Sequence, residues 1–243
     1  MNFLAIDIGN TRYKALLTDD VQTNYFTAEN EDSLIAQLKN IPLVDTYIIC
    51  GTVSNRANQI YDFIKLKKNR GQIFFDYRTP VPLKNLYQTP ETLGSDRIAG
   101  VVGASSLFPN TSCLIIGAGT AITYDIINNK NEYMGGSISL GLQIRYKALH
   151  QFTDNLPLLQ LTHNNVVFPA NNTNDCIHTG IVQGVVFEIE NYIAQFEKQF
   201  PLGKTIISGG DSYYLVKKLK KHIFAKEELT LIGLINILKY NVL

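Results

Sequence analysis

The sequence lacks an excess of charge of either sign. Its 243 residues carry 22 Lys and Arg against 21 Asp and Glu, which gives a formal net charge of +1. The basic residues form no stripe, whereas binding to nucleic acid depends on many Lys and Arg contacts to phosphates. The composition therefore gives no support for a nucleic-acid partner.

Long apolar runs, a leader pattern and paired cysteines are also missing. No uninterrupted apolar run is long enough to span a bilayer, and the chain starts directly in strand-like sequence. We therefore expect neither a membrane segment nor a secretory signal. Cys50, Cys113 and Cys176 are isolated and, like the four histidines, show no spacing typical of a metal site. This usage favours buried thiols in a cytoplasmic protein.

What the first part of the chain does contain is an alternation of strand-like and helix-like segments. The composition, 45% hydrophobic and 18% charged, is typical of a globular protein of one or two domains. The patterns predict, in order, strands at NFLAIDI, RYKALLT and QTNYFTA, a helix at EDSLIAQLKN capped by Asn30, a strand at TYIICGTV, a helix over residues 57–67, a strand at QIFFDY and a loop at TPVPLKNLYQTP.

The second part begins in the same way. SCLIIGAGTAITYDII predicts a strand, a glycine-containing turn and a second strand, NNKNE a hairpin loop, and YMGGSISL a third strand. A long amphipathic helix around residues 185–196 follows, then a strand at KTIISGG and helices over 212–219 and 229–240.

The two parts start alike, with LAIDIGNT at residues 4–11 and LIIGAGTA at residues 114–121. Strand, turn, strand and third strand occur in the same order in both. This similarity predicts a duplicated domain with a boundary near Ser112, and hence domains 1–112 and 113–243. The alternative is a coincidence between two short strand-turn-strand segments.

The glycine turns are candidate phosphate-binding elements. Glycine lets the backbone approach a phosphate closely, and a run of N–H groups forms an anion-binding concavity. Two such turns could face one ligand across a cleft. The segments fit neither GxxxxGK[ST] nor GxGxxG. A third turn, SGGD at 208–211, follows a buried strand and precedes a helix, where a nucleotide could lie. Most glycine turns are only turns, so each one alone is weak support.

Together, DIGNT, GAGTA and ISGGD resemble the phosphate and adenosine motifs of the superfamily of actin, acetate kinase and the sugar kinases. That resemblance implies an α/β fold with two ribonuclease-H-like domains around a nucleotide cleft, the actin-like ATPase fold. Within the superfamily the chain is most similar to type III pantothenate kinase, through DIGNTRYK, LGSDR at 93–97, GAGTAIT, YMGGSISLGL, NNT at 171–173 and SGGD, in that order.

The resemblance implies ATP-dependent phosphorylation of pantothenate to 4'-phosphopantothenate, the first step of coenzyme A biosynthesis. It also implies Mg²⁺, an activating K⁺ or NH₄⁺, and a cytoplasmic homodimer in which a second subunit closes the pantothenate pocket. Two other functions stay open, a non-catalytic accessory or regulatory protein of this fold and a kinase of another small alcohol. A degenerate accessory protein should lose Asp7 or Asp96, and the chain retains both.

The resemblance assigns one set of residues to ATP. These residues are Asp7, Ile8, Gly9, Asn10, Thr11, Arg12, Tyr13, Lys14, Gly119, Thr120, Gly209 and Gly210. The Asp7 carboxylate can hold Mg²⁺ directly or through water, because Mg²⁺ prefers oxygen ligands and needs few protein carboxylates. The alternative is that Asp7 only caps the backbone of its own turn.

A second set is assigned to pantothenate, namely Tyr87, Gly94, Ser95, Asp96, Arg97 and Thr173. Asp96 is the implied catalytic base, which orients the hydroxyl and accepts its proton late in phosphoryl transfer. The Arg97 guanidinium suits a carboxylate such as that of pantothenate. The alternatives are that Ser95 or Asp96 caps the following helix, that Tyr87 packs a loop, and that Thr173 is a helix cap.

One position departs from the family pattern. Family members read Asp-x-Gly-Thr-Ala at the second turn, and that aspartate holds the monovalent cation, but here Gly117 stands in its place. Either other oxygens, such as those of Asp125, still hold the ion, or the protein depends on it weakly. We favour weak dependence, because a lone carbonyl dipole attracts K⁺ far less than a carboxylate does.

Overall fold

The computed structural model describes residues 1–19, 21–51, 58–65, 71–162, 167–221 and 223–243. The chain forms two compact units. The first comprises Met1–Asn110, Ile127–Met134 and Glu228–Leu243, and the second comprises Thr111–Ile126 and Gly135–Glu227. Each unit combines a β-sheet with helices.

The first unit is built on a five-stranded sheet. Its strands are β1 (Phe3–Ile8), β2 (Tyr13–Thr18), β3 (Thr23–Ala28), β4 (Thr46–Gly51) and β5 (Gly71–Phe74), in the spatial order β3-β2-β1-β4-β5. The first three strands form an antiparallel meander, and β4 and β5 extend the sheet in parallel. Strand β1 is therefore central, which explains why its residues from Phe3 to Ile6 are fully buried.

Two helices of this unit confirm sequence predictions. Helix α1 (Glu31–Leu38) starts after Asn30, whose side chain accepts a hydrogen bond from the Ser33 N–H at 2.9 Å. Helix α2 (Asn58–Lys65) lies inside the helix predicted over 57–67. The two ends of that prediction, and the last two residues of the predicted strand TYIICGTV, fall outside the described residues.

The last helix of the chain belongs to the first unit. Helix α7 (Leu229–Val242) packs on α3 (Ser95–Leu107) through close backbone contact, since a Cβ added to Gly233 would lie 1.7 Å from the Ala99 carbonyl oxygen. Glycine permits this approach and lets the apolar face of α7 be buried. The second compact unit therefore ends before α7, whereas the sequence analysis placed residues 113–243 together. The expected boundary near Ser112 lies close to the division after Asn110.

The second unit contains the other sheet, with spatial order β11-β10-β7-β8-β9. Its strands are β7 (Cys113–Ala118), β8 (Ala121–Ile127), β9 (Glu132–Leu140), β10 (Lys204–Ser208) and β11 (Phe224–Ala225). The predicted NNKNE hairpin loop is confirmed by hydrogen bonds from Asn131 N–H to the Asn128 carbonyl (3.0 Å) and from Asn128 N–H to the Glu132 carbonyl (3.1 Å). The first residues of β9, up to Met134, belong to the first unit. There they pair in parallel with β6 (Lys84–Asn85).

The helices of the second unit are α4 (Leu142–Gln151), α5 (Thr173–Gln199) and α6 (Ser212–Val216). The long helix α5 confirms the amphipathic pattern, because Val185, Ile189, Ile193 and Phe196 are all buried in the core of this unit. In the part of the chain that the structure describes, no helix has both the length and the apolar character needed to cross a membrane.

Four elements of the described residues were not predicted, namely α4, β6, β11 and a short 3₁₀ helix at Pro90–Thr92. Helix α4 buries only Leu142 and Tyr146, so its apolar pattern is too sparse to be recognised. The strands β6 and β11 have two residues each. Their pairing is set by the neighbouring strand rather than by local propensity, so the sequence pattern does not predict them.

Candidate active site

Asp7 is a strand residue whose neighbours are fixed by the register of the sheet. On β1 it lies opposite Lys14 of β2 and beside Cys50 of β4. The turn itself follows, and the Gly9 N–H donates to the Arg12 carbonyl at 3.1 Å. Residues 9–12 are exposed. The carboxylate therefore stands at the base of an open turn whose backbone could approach a ligand.

The electrostatic surroundings of Asp7 oppose its ionisation. Burial, reinforced by the nearby Asp96 carboxylate, raises the pKa of Asp7 from 3.8 to about 7, and the Lys14 ammonium opposes this shift. A bound cation would favour the ionised carboxylate, as any opposite charge does. The environment of Asp7 therefore disfavours its ionised form, which a bound cation would stabilise.

The GSDR segment forms the first turn of α3. The N-cap is Gly94 and makes no side-chain capping bond, so neither Ser95 nor Asp96 is the cap. Asp96 is exposed and leans back over Gly94, where an added Cβ would lie 2.6 Å from the Asp96 Oδ1 atom. Any larger residue at position 94 would displace the carboxylate. Gly94 thus leaves room for the Asp96 carboxylate beside the N-terminus of the helix.

A buried thiol, that of Cys50, lies beside Asp7 and contacts the residue before Asp96. Cys50 pairs with Asp7 in the sheet, and its Sγ–H donates to the Ser95 Oγ at 3.2 Å. Burial and then the Asp7 charge raise the pKa of Cys50 well above 9.0, while the Ser95 contact opposes the shift, so the thiol stays protonated. The sequence analysis expected three isolated, buried thiols; Cys50 and Cys113 are buried, but Cys176 is exposed, so the expectation is wrong for that residue. The place of Cys50 at the carboxyl end of a buried strand was the available signal of its contacts.

Two of the residues assigned to pantothenate contact each other. The guanidinium of Arg97, which is only 8% exposed, lies over the Tyr87 ring with its Cζ 5.7 Å from the ring centroid. This distance is within the range of a cation–π interaction. Tyr87 also stacks on Tyr133, with ring centroids 6.0 Å apart. Tyr87 therefore packs its own loop and at the same time borders Arg97, so the two interpretations of this residue are compatible.

In the second unit, three glycine turns pack against one another. The Gly119 N–H donates to the Ala121 carbonyl (3.0 Å), and the Gly141 N–H donates to the Thr120 carbonyl (3.1 Å). Gly209 has φ 96°, and an added Cβ there would lie 2.2 Å from the Ala118 carbonyl oxygen. Gly209 thus needs glycine for both its conformation and its surroundings. The turns assigned to phosphate and adenosine form one cluster of backbone groups.

The position of the missing aspartate is filled by a hydroxyl. Gly117 is the next-to-last residue of β7 and lies opposite Ser208 of β10, with φ outside the left-handed region. A Cβ at Gly117 would lie 2.6 Å from the Thr123 Oγ1 atom. Asp125 lies two residues after Thr123 on β8, so the two side chains are on the same face of that strand. Asp125 is buried. The side-chain oxygen beside Gly117 is therefore the hydroxyl of Thr123.

Thr173 is the first residue of α5 rather than its cap. Asn172 is the N-cap, and its side-chain oxygen accepts from the Asp175 N–H at 3.0 Å. Thr173 borders a cavity of about 680 Å³ that Leu149 and Ile177 also line. The cap interpretation of Thr173 is therefore wrong, and its side chain is exposed at the rim of a cavity in the second unit.

The donor groups present fit a magnesium ion better than a dedicated metal cage. Within the described ranges, no group of three or more His, Cys, Asp or Glu residues could hold a metal ion. Mg²⁺ is commonly held by one or two carboxylates together with substrate phosphates and water. Asp7, with Asp96 nearby, matches that pattern.

We predict that Asp7→Asn stabilises the protein without added metal, and more at pH 8 than at pH 5. The folded-state pKa of Asp7, about 7, exceeds its ordinary value of 3.8, so the unfolded chain loses this proton first as pH rises. Stability is therefore lost between those two values. The difference between the two pH values should be roughly 1–3 kcal/mol after allowance for partial exposure, measured by urea unfolding.

The control for this experiment is Asp62→Asn, which alters an exposed carboxylate on α2. It should change the unfolding free energy by the same small amount at both pH values. An Asp7→Asn variant whose effect is likewise independent of pH would show that Asp7 is not held in the protonated form.

The chain resembles known proteins over nearly its whole length. A family model described as type III pantothenate kinase matches residues 3–195. A protein of Bacteroides fragilis named type III pantothenate kinase is 38% identical over 244 residues, which cover 98% of each chain.

Solved structures show the same fold at lower identity. A Campylobacter jejuni protein described as a Baf family transcriptional activator superposes with a TM-score of 0.62 at 23% identity, covering 98% of each chain. The inorganic polyphosphate/ATP-glucomannokinase of Arthrobacter sp. strain KM gives a TM-score of 0.51 at 12% identity, covering 99% of each chain. The predicted α/β fold of the actin-like ATPases is thereby confirmed. With most of its length matched by the family model, the chain belongs to the type III pantothenate kinase family.

Proposed function

We propose that the protein transfers the γ-phosphoryl group of ATP to pantothenate, giving 4'-phosphopantothenate, the first step of coenzyme A biosynthesis. The observation that carries the proposal is the pair of neighbouring carboxylates, Asp7 at the end of β1 and Asp96 in the first turn of α3, in a chain of this family. Phosphoryl transfer needs charge neutralisation at one end and a proton acceptor at the other.

The nucleotide end is assigned to Asp7, to the open turn that follows it and to the glycine turns of the second unit. Asp7, once ionised, would hold Mg²⁺ directly or through water, and the bound ion would neutralise charge on the phosphates. Backbone N–H groups near Asn10 and Thr11 and around Gly119 and Thr120 would bind phosphate oxygens. Gly209 and Gly210 would allow the nucleoside to lie close to the chain.

The acceptor end is assigned to Asp96, Arg97 and Tyr87. Asp96 is exposed, and the missing side chain of Gly94 leaves room for its carboxylate, so it can reach a substrate hydroxyl, orient it and accept its proton as the phosphorus–oxygen bond forms. Arg97 is buried beside Tyr87, so little side-chain freedom remains to be lost when it binds an anionic or polar part of pantothenate. Thr173 completes the assigned set.

A cytoplasmic homodimer is the proposed assembly. The second unit exposes large apolar side chains, among them Leu140, Phe152 and Phe168. Leu140 and Phe152 border an apolar cavity of about 510 Å³ between α4 and α5. Exposed apolar surface of this kind is typical of protein–protein contacts. A second copy covering it would lie next to the rim that carries Thr173.

We predict that purified protein converts pantothenate and Mg–ATP to phosphopantothenate, and that Asp96→Asn lowers kcat by roughly 10²- to 10⁴-fold, the range for a lost general base. Pantothenate binding, measured by calorimetry, should survive because the amide keeps the size of the carboxylate. The matched control is Asp32→Asn, an exposed first-turn aspartate of α1, which should leave kcat unchanged.

Two results would overturn this proposal. Folded protein that makes no phosphopantothenate over a range of Mg²⁺ and K⁺ concentrations would favour the accessory function or another alcohol substrate. Near-normal turnover by Asp96→Asn would show that Asp96 takes no part in the chemistry. Its role would then be structural, since a negative charge in the first turn interacts favourably with the helix dipole.

We also propose that turnover depends only weakly on K⁺ or NH₄⁺, because Gly117 supplies no side-chain oxygen and Thr123 fills the space beside it. Replacing K⁺ by a bulky cation at constant ionic strength should change kcat by less than roughly threefold, and K⁺ should not raise Tm. Gly117→Asp with Thr123→Ala should gain a K⁺-dependent rise in Tm, since the second change opens room for the carboxylate. Thr123→Ala alone is the control. A strong K⁺ requirement of the unmodified protein would contradict the proposal.

A further inference from the structure

Tyr133 is a buried aromatic residue next to the proposed acceptor site, and the mechanism above gives it no role. It is 0% exposed and lies at the start of β9, within the first unit. Its ring stacks on Tyr87 with a centroid distance of 6.0 Å and an interplanar angle of 17°. Offset, nearly parallel rings at this distance attract each other.

The backbone holds the two tyrosines together as well. Asn85 of β6 pairs with Tyr133, the Leu86 N–H donates to the Tyr133 carbonyl at 3.0 Å, and the Lys84 N–H donates to the Asn131 carbonyl at 3.0 Å. Tyr87 follows directly, and its N–H donates to the Asn85 Oδ1 at 2.9 Å. The loop that carries Tyr87 is therefore tied along the start of β9, and the buried Tyr133 ring backs the Tyr87 ring.

The fixed orientation of the Tyr87 ring in turn restricts the position of Arg97. The guanidinium lies 5.7 Å from the Tyr87 centroid, so a rotation of the Tyr87 ring would alter the surface on which Arg97 rests. Arg97 is also buried, which leaves it few alternative positions. The contacts thus run from Tyr133, fixed in the core, through Tyr87 to Arg97.

We propose that Tyr133 is a positioning residue for the acceptor substrate. Resting on the proposed function, the inference is that the Tyr133 ring fixes the orientation of Tyr87, and through it the place of Arg97, and so sets the affinity for pantothenate. The Tyr133 hydroxyl is not needed for this role. The nucleotide end of the reaction is independent of it.

The first test compares Tyr133→Leu with Tyr133→Phe in steady-state kinetics. Tyr133→Leu removes the ring face and should raise KM for pantothenate roughly three- to tenfold, as expected for a lost aromatic stack, with KM for ATP unchanged and kcat within about twofold. Tyr133→Phe should behave like the unmodified protein. The control is Tyr47→Leu, which removes another buried tyrosine of the first unit and should change neither KM.

A double-mutant cycle shows whether Tyr133 acts through Tyr87. In a Tyr87→Leu background, Tyr133→Leu should add little to KM for pantothenate, because the residue that it positions is already gone. Additive effects of the two changes, or an equal rise of the two KM values in Tyr133→Leu, would overturn the proposal. Tyr133→Met, whose unbranched side chain adapts more easily to the space left by the ring, replaces the leucine variant if the latter does not fold.

A readout that needs no substrate separates this inference from the proposed function. Fluorotyrosine incorporated at position 87 should show a changed ¹⁹F shift in Tyr133→Leu and an unchanged one in Tyr133→Phe. An unaltered shift in Tyr133→Leu would refute the positioning role even in an active enzyme. If the unmodified protein neither binds nor phosphorylates pantothenate, the proposed function fails, whereas an unaltered ¹⁹F shift in Tyr133→Leu refutes the positioning of Tyr87 without reference to any substrate.

Discussion

The proximity of the Asp7 and Asp96 carboxylates is the constraint around which the first unit is arranged. Burial, and after it the nearby Asp96 carboxylate, makes the ionised form of Asp7 unfavourable, as its raised pKa indicates. Strand β1 is fixed between β2 and β4, so the backbone that carries Asp7 cannot move without loss of packing, and α3, which carries Asp96, is packed on α7. A cation between nucleotide and protein would remove the cost, which links the fold to the chemistry.

Glycine has a different role at each of several positions. In the first unit, Gly94 leaves room for the Asp96 carboxylate. In the second unit, Gly141 lets the backbone approach the Thr120 carbonyl, and Gly209 adopts a positive φ against Ala118. In each case the missing Cβ allows a polar group or a backbone segment to come close. Gly117 differs, because the space beside it is occupied by the Thr123 hydroxyl.

The sequence predicted the elements whose patterns are local and could not predict those imposed by tertiary contact. Strand β1, the Asn30 cap and helix α5 follow from alternation, capping chemistry and helical periodicity. The two-residue strand β6 and the return of α7 to α3 depend on partners remote in the chain.

The same distinction applies to the candidate site. Motifs identified Asp7, Asp96 and Arg97, and the structure brings these into one unit. Cys50 and Tyr133 went unrecognised, because a buried thiol and a buried aromatic residue look like ordinary core until their neighbours are known. Their neighbours come from β1, α3 and the loop after β6, which no local pattern connects.

We assign the nucleotide end of the reaction to Asp7 and the acceptor end to Arg97. Kinetics of Asp7→Ala and Arg97→Ala, with each substrate varied separately and folding checked by thermal unfolding, test this assignment. Asp7→Ala should chiefly impair the use of Mg–ATP, whereas Arg97→Ala should chiefly raise KM for pantothenate. The reverse pattern, or equal damage to both substrates by both variants, would contradict it.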